Sequence, residues 1–243
     1  MISLNDQIAM LRNIIDSGSN IVFFGGAGVS TESGIPDFRS TDGLYNQQYI
    51  YPPETILSHS FFLKRPAEFF RFYRDKMLNL DARPNAAHRV LAELEACGKL
   101  KAVVTQNIDG LHQEAGSKRV FELHGSVRRN HCISCGAAYP LERVLESEGV
   151  PLCDCGGIIK PDVVLYEEPL EAEVIEDAVA AIREADVLIV GGTSLNVYPA
   201  AGLLDYFAGE QLVIINRSEL PGEQRATLVI QGSIGEVLSQ AVL

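Results

Sequence analysis

Ile21-Val-Phe-Phe-Gly-Gly-Ala-Gly-Val-Ser-Thr-Glu-Ser-Gly-Ile-Pro-Asp-Phe-Arg-Ser40 carries an apolar run straight into a turn of small residues. The run from Ile21 to Phe24 shows no apolar–polar alternation, so it predicts a strand buried on both faces, as in a parallel sheet. Gly25, Gly26, Ala27 and Gly28 let backbone N–H groups approach a pyrophosphate without Cβ interference. The loop departs from the usual dinucleotide pattern. If Gly26 and Gly28 open a G-x-G-x-x-G, the third glycine is replaced by Thr31, and the next one is Gly34. The acidic ribose ligand expected after a second strand is also hard to place, since Asp42 follows no strand-like run. The stretch therefore predicts a variant nucleotide site and argues against a hydride-transferring dehydrogenase. The plainer alternative is a tight strand-to-helix turn with no ligand.

Working outward, Ile8, Leu11, Ile14 and Ile15 space out one face of a helix that closes at Gly18. Downstream, Ala102–Thr105, Val120–Leu123, Val187–Val190, Leu212–Ile215 and residues 228–230 read as further strands. Helices are expected near 86–97, 171–184, 199–208 and 234–241. Strands separated by helices predict an α/β fold with a doubly wound, mostly parallel sheet. Two segments interrupt the alternation. Residues 37–80 are dense in aromatics, from Tyr45 through Phe61, Phe62, Phe69, Phe70 and Tyr73, with Pro52-Pro53 breaking any long element. They predict a mostly helical insertion, and the aromatics over 61–73 are read as core. Residues 126–158 hold four of the five cysteines.

Cys132-Ile-Ser-Cys135 and Cys153-Asp-Cys155 are separated by 17 residues, with Gly136, Gly156 and Gly157 supplying sharp turns. This spacing predicts a structural zinc held by four thiolates. The second pair is one residue tighter than C-x-x-C, so loss of the metal, or His131 as a substitute ligand, stands as the alternative. Cys97, at the end of the helix near 86–97, is read as a buried, inert thiol.

With 243 residues, 47% hydrophobic and 21% charged, the chain is expected to form one globular module. Its 20 basic residues against 32 acidic ones give a net charge of −12, which argues against a nucleic-acid footprint. No window is apolar enough to span a membrane and the N-terminus resembles no signal peptide, so a cytoplasmic protein is expected.

Ligands of open parallel sheets bind beyond the carboxyl ends of the strands, and here those ends are polar. After the glycine-rich loop come Gln106-Asn-Ile-Asp-Gly-Leu-His112, His124-Gly-Ser126, Gly191-Gly-Thr-Ser194 and Asn216. His124 is the leading candidate for a general base, because its strand-end position aims an imidazole at the cleft; His112 is its rival.

Gly25–Ser40, Thr105–His112, His124-Gly, the four cysteines and Gly192-Thr-Ser-Leu195 together resemble the sirtuin family of NAD-dependent protein-lysine deacylases, over essentially the whole chain. The resemblance implies a Rossmann-like large lobe (1–36, 81–125 and 159–243) and a small lobe made of the helical insertion (37–80) and a zinc ribbon (126–158). It implies that NAD is consumed as a co-substrate and that acetylated proteins are the partners. Ala27, Thr31 and Arg39 would meet the phosphates and ribose, and Phe38 would shield the nicotinamide ribose. Gln106, Ile108 and Asp109 would line the nicotinamide and ribose pocket, with Asn107 organising the site. Thr193, Ser194 and Asn216 would hold the adenosine half, Ser233 or Ile234 would lie by the adenine, and His124 would be the base. Val163, Val164 and Tyr166 would hold the peptide by strand pairing. The implied chemistry is attack of the acetyl oxygen on C1′ of the nicotinamide ribose, loss of nicotinamide, and release of lysine and O-acetyl-ADP-ribose. Protein ADP-ribosylation and removal of longer neutral acyl groups are the alternatives. At Tyr166-Glu167-Glu168 a glutamate stands where the family has glycine. Tyr45 is followed at three residues by Gln48 where relatives that remove acidic acyl groups carry arginine, so neutral acyl groups are expected.

Overall fold

The computed structural model describes residues 2–37, 50–220 and 223–242. In chain order these form α1 (Leu4–Ser17), β1 (Ile21–Gly25), α2 (Pro53–Ile56), α3 (His59–Lys64), α4 (Pro66–Phe72), α5 (Ala86–Ala96), β2 (Leu100–Thr105), α6 (Leu111–Ala115) and β3 (Val120–Glu122). There follow β4 (Gly125–Cys132), β5 (Ala138–Pro140), α7 (Leu141–Leu145), β6 (Ile159–Val163), α8 (Ala172–Glu184), β7 (Val187–Gly191), β8 (Gln211–Asn216), β9 (Leu228–Gln231) and α9 (Ile234–Val242).

A six-stranded sheet runs in the order β3-β2-β1-β7-β8-β9, all parallel. The order steps one way from β1 through β2 to β3 and the other way from β7 to β9, so the connections reverse direction between β1 and β7. That is the topological switch point, where the two loops diverge and leave a crevice. β1 is buried along its whole length, as an unalternating apolar run requires.

Side chains alternate across the central strands. Ile21 and Phe23 join Val103, Ile189 and Val213 against α1, α5 and α9. Val22 and Phe24 join Val104, Val190 and Ile214 against α8 and the turn at Ala200–Tyr206. The two faces of one strand therefore nucleate two separate cores, the physical content of a doubly wound fold. α1 starts where the Ser3 side chain accepts from Asp6 N–H and ends where Gly18 N–H bonds to Ile14 O. The helix expected near 199–208 is a 3-10 segment over Ala200–Tyr206, shortened by Pro199 before it and weakened by Gly202 within it.

The second sheet is antiparallel, in the order β5-β4-β6. Its last strand, Ile159–Val163, pairs with β4, so this sheet continues past the boundary expected at residue 158. Both insertions share one core. Phe62, Phe69, Phe70 and Tyr73 pack with Val127, Val144, Ile159 and Val163, and with Cys132 and Cys153. The aromatics meet edge-on, with Phe62 and Phe69 centroids 5.0 Å apart, while Phe69 and Tyr73 stack at 5.7 Å. The aromatics over 61–73 thus serve packing.

Candidate active site

β1, β2, β7 and β8 end on one side of the large sheet, and a cavity of about 1300 Å³ opens there, with β4 and the segment after β6 forming its far wall. Its floor is the contact between two loops: Gly28 N–H donates to Gly192 O at 2.7 Å. A Cβ on Gly28 would stand 2.8 Å from the Gly192 backbone, so the loops touch only because both residues are glycine. Ala27 and Thr31 line the cavity, and Thr31 Oγ1 donates to Gly28 O at 2.9 Å, rigidifying the loop. Phe38 and Arg39 lie outside the described residues, as do Tyr45 and Gln48.

Gln106 ties the walls together. Its Nε2 donates to Thr193 Oγ1 at 3.0 Å and its carbonyl lies 2.8 Å from His124 Nδ1. A carbonyl only accepts, so Nδ1 carries the proton and Nε2 keeps its lone pair. Burial lowers the His124 pKa, outweighing the opposing bond to Gln106 O, and holds the ring neutral near physiological pH. Beside it, Asn107 Nδ2 donates to Ser30 Oγ at 3.0 Å, and Ser30 Oγ donates to Asp109 Oδ2 at 2.7 Å. Asp109 Oδ1 accepts from Leu111 N–H at 2.9 Å, so each carboxylate oxygen retains an accepting lone pair.

Ile108, Ser194, Asn216 and Ile234 line the cavity as well. Ser233 does not; its carbonyl accepts from Val237 N–H at the start of α9. Val163, Val164 and Tyr166 form part of the opposite wall.

His112, the rival base, lies elsewhere. It is buried against Phe23 and stacked obliquely on His88 with centroids 4.7 Å apart, and neither of its nitrogens has a hydrogen-bond partner among the described residues. Burial, with a smaller contribution from His88, depresses it to about 3, and burial brings His88 to about 4. Both rings are core. In the unfolded chain they protonate as pH falls through about 6.5, whereas the fold keeps them neutral well below that. The unfolded state then binds more protons, so stability is full above 6.5 and declines on acidification, by up to about 1.4 kcal/mol per pH unit for each ring. Urea denaturation is expected to show a lower midpoint at pH 5.0 than at pH 7.5, with His112→Leu shallower in its acid limb; equal midpoints in the wild type overturn the account.

The four cysteines converge. Their sulfurs all lie within 4.8 Å of one another, with Cys132 to Cys155 at 3.5 Å and Cys135 to Cys153 at 3.6 Å. A tetrahedral zinc with Zn–S of about 2.3 Å sets sulfurs about 3.8 Å apart, so the four thiols fit one ion. The tight C-x-C works because Cys153 N–H bonds to Gly157 O at 2.8 Å, closing a hairpin that aims both sulfurs one way. Tyr139 Oη donates to Cys153 Sγ at 3.0 Å and brings that thiol down to about 6. His131 is no substitute ligand among the described residues: the ligand atoms that gather within 4.8 Å are the four sulfurs alone, and the His131 ring pairs with Asp162 instead. Cys97 is exposed, contrary to the expectation of a buried thiol.

Residues 26–199 match the Sir2 family. The chain belongs to the Sir2 family. A Clostridium perfringens relative, named as an NAD-dependent protein deacetylase, is 59% identical over 98% of this chain and 100% of its own. A Sir2 structure with a p53 peptide and NAD+ superposes with a TM-score of 0.86 at 40% identity, covering 96% of both chains. Another, with a deacetylated p53 peptide and 3′-O-acetyl ADP-ribose, gives 0.88 at 39%, again covering 96% of both.

Two contributors to this Sir2 site carry no signal in a local motif. Glu32 Oε1 accepts from Gly235 N–H at 3.0 Å, 203 residues away, joining the glycine-rich loop to the start of α9. Lys160, 8% exposed, sits 3.0 Å from Glu168 Oε2 and donates to Val163 O at 2.9 Å. Burial alone would raise Glu168, but the Leu165 N–H, His59 and Lys160 together hold it below the ordinary carboxylate value. A buried lysine flanked by apolar residues signals a partner in sequence only in general terms.

Proposed function

We propose that the protein is an NAD-dependent protein deacetylase, yielding nicotinamide, free lysine and O-acetyl-ADP-ribose. The observation that carries this reading is a neutral histidine, His124, whose Nδ1 is tied to Gln106 and whose Nε2 is left to accept a proton in a cavity roomy enough for two reactants. The relatives' names, and the peptide and nucleotide ligands of the two Sir2 structures, support it.

NAD, when bound, supplies a ribose C1′ that releases nicotinamide. Ala27 and Thr31, with Phe38 and Arg39, are assigned to its phosphates and nicotinamide ribose. Gln106, Ile108 and Asp109 are assigned to the nicotinamide and its ribose; Asp109 retains the lone pairs to accept from a carboxamide. Thr193, Ser194, Asn216 and Ile234 are assigned to the adenosine half, with Ser233 acting through α9. Asn107 orients Ser30 and, through it, Asp109. His124 takes a ribose hydroxyl proton. Val163, Val164 and Tyr166 hold the peptide, and Cys132, Cys135, Cys153 and Cys155 hold one structural zinc. The chain works as one catalytic module of two lobes, in the reducing cytoplasm where free thiols persist. No helix among the described residues is long and apolar enough to cross a membrane.

Nicotinamide release is expected only when both NAD and an acetyl-lysine peptide are present, with O-acetyl-ADP-ribose appearing in equal amount and succinylated peptide giving little. Adenine-labelled NAD that leaves its label on protein, with no deacetylated product, would overturn the reading in favour of ADP-ribosylation.

A further inference from the structure

Glu167 is left-handed, at φ 76°, in a wall of the cavity, at the position where the family resemblance places a glycine. Glycine takes that conformation freely and glutamate does not. Here the side chain supplies what the backbone lacks. Glu167 Oε2 accepts from Ser60 N–H at 2.9 Å and Oε1 accepts from Ser60 Oγ at 3.0 Å. Around this clamp, Tyr166 N–H donates to Leu57 O and Tyr166 O accepts from His59 N–H.

The consequence concerns which main-chain groups remain. Val164 N–H is taken by His124 O, Leu165 N–H by Glu168 Oε2, Leu165 O by Glu168 N–H, and both Tyr166 groups by residues 57 and 59. The Val164 carbonyl and both the N–H and C=O of Glu167 have no hydrogen-bond partner among the described residues. A peptide adding to this edge must use them, and the direction of the Glu167 pair is set by its φ.

We infer that Glu167 is a positioning residue for the peptide substrate: its carboxylate, clamped on Ser60, holds its own backbone in the left-handed form that presents N–H and C=O to the incoming chain. This rests on the assignment of the peptide to residues 163–166. The side chain is expected to touch no part of the substrate.

The test is binding of a fluorescent acetyl-lysine peptide by anisotropy, read without turnover, across substitutions at residue 167. Glu167→Gly removes both clamp and penalty and is expected to bind within about threefold of wild type. Glu167→Ala removes the clamp and keeps the Cβ penalty of roughly 1–2 kcal/mol, so its Kd is expected to rise about tenfold. Glu167→Gln, retaining one acceptor, falls between them. Ser60→Ala weakens binding in the Glu167 background and has no effect in Glu167→Gly. A merely structural role would rank glycine above alanine in thermal stability and leave the peptide Kd the same among variants that stay folded. Alanine binding as wild type does, or glycine binding as poorly as alanine, overturns the inference, and the Gly and Gln variants decide it if Ala does not fold. Wild type that binds peptide yet releases no nicotinamide defeats the deacetylase reading while the order of affinities is still read. Wild type that binds no peptide defeats both.

Discussion

His124→Ala is expected to lower kcat by about 10²- to 10⁴-fold, the range that a positioned general base contributes, while NAD affinity changes little. The asymmetry follows from geometry. The ring donates through Nδ1 to the Gln106 carbonyl, 2.8 Å away, while the Gln106 side chain bonds Thr193 independently. Removing the imidazole therefore leaves the link between Gln106 and Thr193 intact. The pH profile is a second reading of the same residue. A base must be unprotonated, and burial lowers the His124 pKa, so activity should fall on the acid side only below the ordinary histidine range. Turnover rising steeply between pH 7 and 8 would contradict a lowered pKa, and full activity in His124→Ala would remove it as the base. His112→Phe is expected to leave the pH profile unchanged, because that ring is sealed in the core against Phe23 and His88.

The contrast between these two histidines illustrates what could be read from the chain. Both follow a strand within a polar cluster, and both were candidates on that ground. His124 ends at the cavity because it sits in the break between β3 and β4, where the chain leaves one sheet for the other. His112 enters α6, and a helical turn carries it back into the apolar layer beneath α5. A strand end is legible as a run of apolar residues stopping. Which way the following turn rotates a side chain is a three-dimensional fact. The same limit hides Glu32, whose partner is 203 residues distant, and the Glu167 clamp, since neither a left-handed φ nor a contact with Ser60 leaves a periodic trace. The β1 loop was legible for the opposite reason. Its glycines record a demand at their own positions: a Cβ on Gly28 would stand 2.8 Å from the Gly192 backbone, so residue type shows that the backbone is closely approached, though not by which partner.

Loss of zinc is expected to disorganise the small lobe and abolish activity while the parallel sheet persists. Cys132 and Cys153 are buried in the same apolar cluster as Phe62, Phe69, Phe70 and Ile159, so the ion is joined to the aromatic core, not merely attached at its rim. Four thiolates this close repel one another without a cation. Structural zinc sites contribute apparent binding free energies of about 10–16 kcal/mol near neutral pH, the size of a whole domain's stability. β5 is short and β4 pairs with it over only Arg129–His131, which leaves little to hold the sheet if the sulfurs separate. Cys135→Ser should therefore bind less than one zinc per chain, expose the phenylalanine cluster to a hydrophobic dye and lose deacetylation. The cavity's far wall, Val163 to Glu168, follows directly from β6 of that sheet, so peptide affinity should collapse before NAD affinity does. The six parallel strands, with cores on α1, α5, α9 and α8, share no residue with the zinc cluster and should retain their far-ultraviolet signal. A metal-free Cys135→Ser protein that melts as wild type does and binds peptide equally well would show that the aromatics alone hold the lobe. Because the two insertions share a single core, partial loss is not expected: the lobe should hold peptide with zinc bound and release it without.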